Sequence, residues 1–244
     1  MDEQAATDAG GSQAPAPRSA RLLVEWAVVF WALPALIAFW PVKVQLIPLL
    51  LLMALVCGAA LWRDAGFERR RLWGAKAIRR GDLWFVGVRF AVSAAVLAGI
   101  LYLCRGKTFW RLAFPPEMFE LPRYKPALWA AIMLLYPLFS VLPQNVVWRV
   151  FFFHRYRGWF GGGAGMVAAS AASFGWVHVV MLNWFAVAAT LVGGLFFAQT
   201  YRRSGSMLLA SIEHALYGCW IFTVGYGTMF LYATLAATGA DAGP

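Results

Sequence analysis

The chain has 244 residues, of which 61% are hydrophobic and only 13% charged, where soluble domains carry roughly a quarter charged residues. That balance excludes a soluble globular domain, a disordered chain and a disulfide scaffold. The apolar runs are continuous rather than alternating, which argues for membrane-spanning helices and against a β-barrel. The net charge of +10 reads as basic loops meeting anionic headgroups, not as a nucleic-acid surface.

Residues 1–20 are rich in Ala, Gly, Ser, Pro and Gln and read as a disordered tail. The first apolar run, 22–40, follows no basic start and shows no cleavage site, so it reads as a retained span. A second run, 44–62, follows a tight turn at 41–43. The loop 63–82 carries Arg63, Arg69, Arg70, Arg71, Lys76, Arg79 and Arg80 against three acids, which marks it as cytoplasmic and as the contact with anionic headgroups. A third span covers 83–104, with Arg89 inside it, snorkelling or lining a cavity. After a loop at 105–126, the stretch 127–156 reads as one long helix kinked at Pro137 and Pro143. Further runs cover 164–180, 183–201, 206–222 and 223–240, the last weakened by Gly225 and Gly227.

The expected architecture is therefore an all-α polytopic transmembrane bundle of about eight spans with both termini inside. If the last run is re-entrant, the number is seven. N-terminal helices occupy 21–126, a core bundle 127–240 and a short tail 241–244. The small residues of 168–173, and Ala189 with Gly193 and Gly194, let helix backbones approach closely in lipid. Cys57, Cys104 and Cys219 are isolated and read as packing residues.

Polar residues inside a membrane are costly and point to function. Nine of the 11 carboxylates lie in the first 120 residues, so Glu213 is the single acidic candidate in the second half of the bundle. With it stand Gln144, Asn145, Arg149, His178, Asn183 and His214. His178 and His214, on different helices, could share a metal with a third ligand, polarise water, donate to an oxyanion, or simply be bonded core histidines. Arg149 either snorkels toward the cytoplasmic headgroups or is buried on an anionic or carbonyl partner. Glu213 is read as a partner for an imidazole or for Arg149, and as the only general base on offer. His154, within FFFHRYR, reads as interfacial.

This set resembles the CPBP family of intramembrane proteases, which comprises CAAX prenyl proteases and bacteriocin-processing enzymes and is also called the Abi family. That family shows EExxxR, FxxxH and HxxxN motifs on separate helices. Here Gln144-Asn145-Val146-Val147-Trp148-Arg149 stands in the place of EExxxR, Phe174 to His178 matches FxxxH, and His214-Ala215-Leu216-Tyr217-Gly218 stands in the place of HxxxN. The resemblance covers about 125–225. It implies an intramembrane endopeptidase that cuts a peptide bond of a membrane-associated substrate near the cytoplasmic leaflet, in a membrane expected to be the bacterial inner membrane. By resemblance, Gln144, Asn145, Arg149, His178 and His214 are the catalytic set and Phe174 supports it; Glu213, from its place beside His214, is read as a further supporting residue. His178 and His214 would bind a divalent metal, zinc first, or would orient water without one. The substrate would be a peptide or protein tail, prenylated or simply hydrophobic.

Both glutamates of the first motif are amides here, and Gly218 replaces the Asn of the last. An amide accepts no proton near neutral pH. Three explanations stand open. Asn145 is a natural change in a member that binds without cutting, it is an engineered residue, or Glu213 has taken over as base.

Overall fold

The computed structural model describes residues 19–40, 44–104, 117–227 and 229–230. Among these residues there is no strand, and seven helices are long and apolar enough to cross a membrane. They are α1 (Ala20–Phe39), α2 (Leu46–Arg63), α3 (Arg80–Cys104), α4 (Pro126–Arg155), α5 (Ala164–Met181), α6 (Trp184–Ser204) and α7 (Met207–Val224). The protein is a multi-pass membrane protein. Residues 231–240 of the expected eighth span lie outside the described residues, as do most of the N-terminal tail, the turn at 41–43, residues 105–116 of the third loop and the tail at 241–244.

The α4 helix is the expected long helix, and its prolines explain its irregularity. Proline lacks an N–H and its ring crowds the carbonyl one turn earlier. The helix continues through Pro137 by widening into a π-helical turn over Pro137–Val141. A second π-helical turn covers Val146–Phe151, just past Pro143 and Asn145. Such turns absorb a defect without ending the helix.

The sharp connection between α6 and α7 is built by local chemistry. Gly205 adopts φ 64°, a left-handed conformation that costs glycine nothing. Ser206 then caps α7, its hydroxyl accepting from Leu209 N at 3.1 Å. Asn183, one of the polar candidates, is the N-cap of α6, its Oδ1 accepting from Phe185 N at 3.0 Å and Ala186 N at 3.3 Å. Its role is structural.

The basic stretches assigned to one face of the membrane meet in space. Leu208 N donates to Trp73 O at 3.0 Å, which docks the 63–82 loop on the α6–α7 turn. Asp64 accepts from His154 at 2.8 Å, and this bond holds the Asp64 carboxyl below the usual carboxylate range. Glu25 of α1 accepts from Arg155 at 2.7 Å and from Tyr156 Oη at 3.0 Å. His154 sits half-exposed at the basic end of α4.

The closest helix pair is α5 against α6. A Cβ added to Gly175 would meet Leu191 Cβ at 2.9 Å, and one added to Gly194 would meet Ala171 Cα at 3.2 Å. Small residues here permit backbone approach, as the sequence predicts.

Inside the bundle, Arg89 neither snorkels nor lines the cavity. It crosses from α3 to α7 and donates to Glu213 through Nε at 2.9 Å and also through Nη2. Gln199 Oε1 at 2.8 Å, Thr200 Oγ1 at 2.7 Å and Phe196 O at 3.1 Å complete its shell, and its guanidinium lies over the Phe85 and Phe196 rings, 4.6 Å from each. Glu213 is therefore the anion of a structural ion pair. A buried pair is costly to break from one side and cheap to replace whole. Arg89→Leu should destabilise the protein by about 3–5 kcal/mol, and Arg89→Leu/Glu213→Leu should recover most of that loss. Unfolding in mixed micelles measures both.

Candidate functional site

Four helices converge on one cluster. From α4 come Tyr136, Ser140, Gln144 and Trp148, spaced by four residues and all on the wall of one apolar cavity of about 1220 Å³. Asn145 and Arg149 lie on the adjoining buried face of the same helix. From α5 come Ser170, Phe174 and His178, from α6 Phe197, and from α7 His214 with Gly218.

The Phe174 ring is the centre. Its centroid lies 5.0 Å from the His178 imidazole and 5.5 Å from the His214 imidazole, edge-on to both. The Arg149 guanidinium sits over its face, 5.0 Å from the centroid. Crude counting along the spans leaves the two histidines at different depths, but in the fold they pack against the same side chain.

His214 is held on every side. It stacks on Phe197 at 4.4 Å. Asn145 Nδ2 lies 3.3 Å from Nδ1 and also donates to Val141 O at 3.0 Å. An amide NH₂ only donates, so Nδ1 is the acceptor and the imidazole proton resides on Nε2. That N–H then points to Tyr136 Oη, 3.3 Å away. Asn145, which stands where a glutamate is expected, is a hydrogen-bond donor to His214.

His178 is held differently. Its Nδ1 donates to Phe174 O, one turn earlier, at 2.8 Å. This fixes the tautomer and leaves the Nε2 lone pair with no protein partner among the described residues. His178 is 8% exposed and lines the cavity.

Arg149 does not reach the headgroups, because it is 0% exposed. Its Nη1 donates to Ser170 Oγ at 2.7 Å and Trp148 O at 3.1 Å, and Ser170 Oγ itself donates to Trp148 O at 2.7 Å. No carboxylate bridges it among the described residues, so it is not the partner of Glu213. It is held by hydroxyl, carbonyl and two aromatic faces, Phe174 and Phe197. Gln144 donates to Ser140 Oγ at 3.0 Å, and its Oε1 is buried with no protein partner among the described residues.

The donor set does not match a zinc site shared by His178 and His214. Zinc held by protein takes at least three ligands, each with a free lone pair. Both His214 nitrogens already face Asn145 and Tyr136, and no third His, Cys, Asp or Glu joins the pair among the described residues.

Reading the sequence missed Tyr136, Ser170 and Phe197. Tyr136 carried a signal, since it lies eight residues before Gln144 on the same helical stripe. Phe174→Ala should cost about 3–5 kcal/mol, because it removes a fully buried ring that touches both imidazoles and the guanidinium. Thermal unfolding in detergent checks this, and a loss under about 1 kcal/mol would rule out the central role.

Residues 126–220 match the family model for Rce1-like proteins, described as type II CAAX prenyl endopeptidases. No curated protein and no solved structure matches the chain. The matched stretch holds every residue of the cluster, from Tyr136 on α4 to Gly218 on α7. Segment 126–220, which also carries the resemblance to the EExxxR, FxxxH and HxxxN pattern, is similar to the type II CAAX prenyl endopeptidases of that family model.

Proposed function

We propose that the protein is an intramembrane endopeptidase of the CAAX-protease type. Its substrate is the hydrophobic tail of a membrane-associated peptide or protein, prenylated or not. The family match supports this, and one observation carries it. The cavity presents an imidazole with an unpartnered Nε2, that of His178, in the same wall as His214 and Tyr136, which Asn145 bonds from behind.

The arrangement supports hydrolysis without a carboxylate base. Water bonded to His178 Nε2 attacks the scissile carbonyl carbon and gives its proton to that nitrogen. The Nδ1–H bond to Phe174 O stabilises the imidazolium that forms. When the tetrahedral intermediate collapses, the C–N bond breaks and His178 returns the proton to the leaving nitrogen, giving an acid and an amine. The buried charge of Arg149, behind Phe174, favours the negative charge that develops on the carbonyl oxygen. On the basic face of the bundle, the exposed arginines of 63–82, flanked by the exposed Trp62, Trp73 and Trp84, lie on anionic headgroups.

Purified protein in nanodiscs should cut peptides with apolar C-terminal tails, read by mass spectrometry. His178→Ala should slow cleavage by about 10²–10⁴-fold. Cleavage that survives His178→Ala overturns the assignment of the base. If Asn145→Glu cuts and the unaltered protein does not, the endopeptidase reading falls and the protein is one that binds such tails without hydrolysing them.

A further inference from the structure

Position 218 and Tyr136 compete for one space. A Cβ built on Gly218 would lie 2.2 Å from Tyr136 Cε1, 2.4 Å from its Oη and 2.5 Å from its Cζ. No side chain at 218 coexists with the tyrosine in its present place. Residue 218 is one turn after His214 on α7, so any side chain there would stand beside the imidazole. In this protein a phenol from another helix stands there instead, and its oxygen meets His214 Nε2 at 3.3 Å.

The direction of the hydrogen bonds assigns the phenol's remaining capacity. Asn145 donates to His214 Nδ1, so His214 Nε2–H donates to Tyr136 Oη. The phenol proton is then left for another acceptor. The ring is braced edge-on by Phe222 at 5.6 Å and His214 at 6.2 Å, and it lines the cavity together with His178, Gln144 and His214. Tyr136 is the last residue before Pro137, where α4 widens into its first π-helical turn. That position on the helix delivers the side chain across to α7.

We infer that Tyr136 is the oxyanion-binding residue of this site: it occupies the space that Gly218 leaves vacant and directs its O–H at the substrate carbonyl oxygen. The inference rests on the endopeptidase reading. A hydroxyl that accepts from an N–H is a better donor through its own proton, because the two bonds polarise one another. His214 is thus the orienting group behind Tyr136, and Asn145 sets the tautomer of His214.

Two probes test this without relying on turnover. The first is a peptide phosphonate whose charged oxygens imitate the tetrahedral intermediate, compared with the parent amide peptide by calorimetry. Tyr136→Phe should weaken the phosphonate by about 10²–10³-fold and leave the amide within about twofold. Equal effects on both peptides, or none, overturn the inference. The second is the ¹⁵N spectrum of histidine-labelled protein, in which Tyr136→Phe should move the His214 Nε2 resonance and leave His178 in place. An unmoved His214 resonance also overturns it. Space is tested separately. Gly218→Ala should lower the melting temperature by several degrees alone and by much less in the Tyr136→Ala background; equal losses mean that the two residues do not share that space. If the unaltered protein cuts no peptide, the endopeptidase reading fails on its own evidence, while the phosphonate and ¹⁵N results still decide the role of Tyr136.

Discussion

The close approach of α5 and α6 is the constraint on which the site depends. Gly175 and Gly194 let the two backbones come together, and Gly194 leaves room for the Phe174 ring, whose Cδ1 is 3.1 Å from where a Cβ would be. Held there, Phe174 faces α4 and α7 at once. Both imidazoles, the guanidinium and Phe197 take their positions against it. In lipid there is no hydrophobic force between helices, so such close van der Waals packing must do the work that burial from water does elsewhere.

Arg89, part-buried, and Arg149, fully buried, both lie inside the bundle, and the protein treats them in opposite ways. Arg89 has an anion, an amide, a hydroxyl and a carbonyl, and it ties α3 to α6 and α7. Arg149 has a hydroxyl, a carbonyl and two rings. The first is a neutralised structural joint, whereas the second leaves a positive field inside the site. Among the described residues, the single carboxylate after Glu120, Glu213, goes to the joint, and the site keeps its charge.

Composition and run length made the membrane bundle and the long α4 helix legible, because burial in lipid demands long apolar helices whatever their order. Of the glycine contacts, Gly194 was legible as part of a small-residue pattern, and Gly175, outside that pattern, was not. The motif residues were legible as a set, through the order Gln144-Asn145…Arg149, Phe174…His178, His214. Their pairing was not. Glu213 adjoins His214 in the chain, but on a helix neighbours point about 100° apart, and Glu213 faces α3. Arg149 lies near the basic end of α4, yet the side chain turns inward to Ser170. Tyr136 stands outside all three motifs, and its importance comes from what is missing at Gly218, on another helix.

The π-helical turn over Val146–Phe151 begins just after Asn145 and contains Arg149. In a regular helix, residues four apart share a face and would address the same neighbour. Here the widened turn separates them: Asn145 speaks to His214 on α7, and Arg149 to Ser170 on α5. The spacing of the first motif is therefore a wound length and not a count along a straight rod. One short segment serves two helices because the backbone between its ends carries the extra slack of a wider coil.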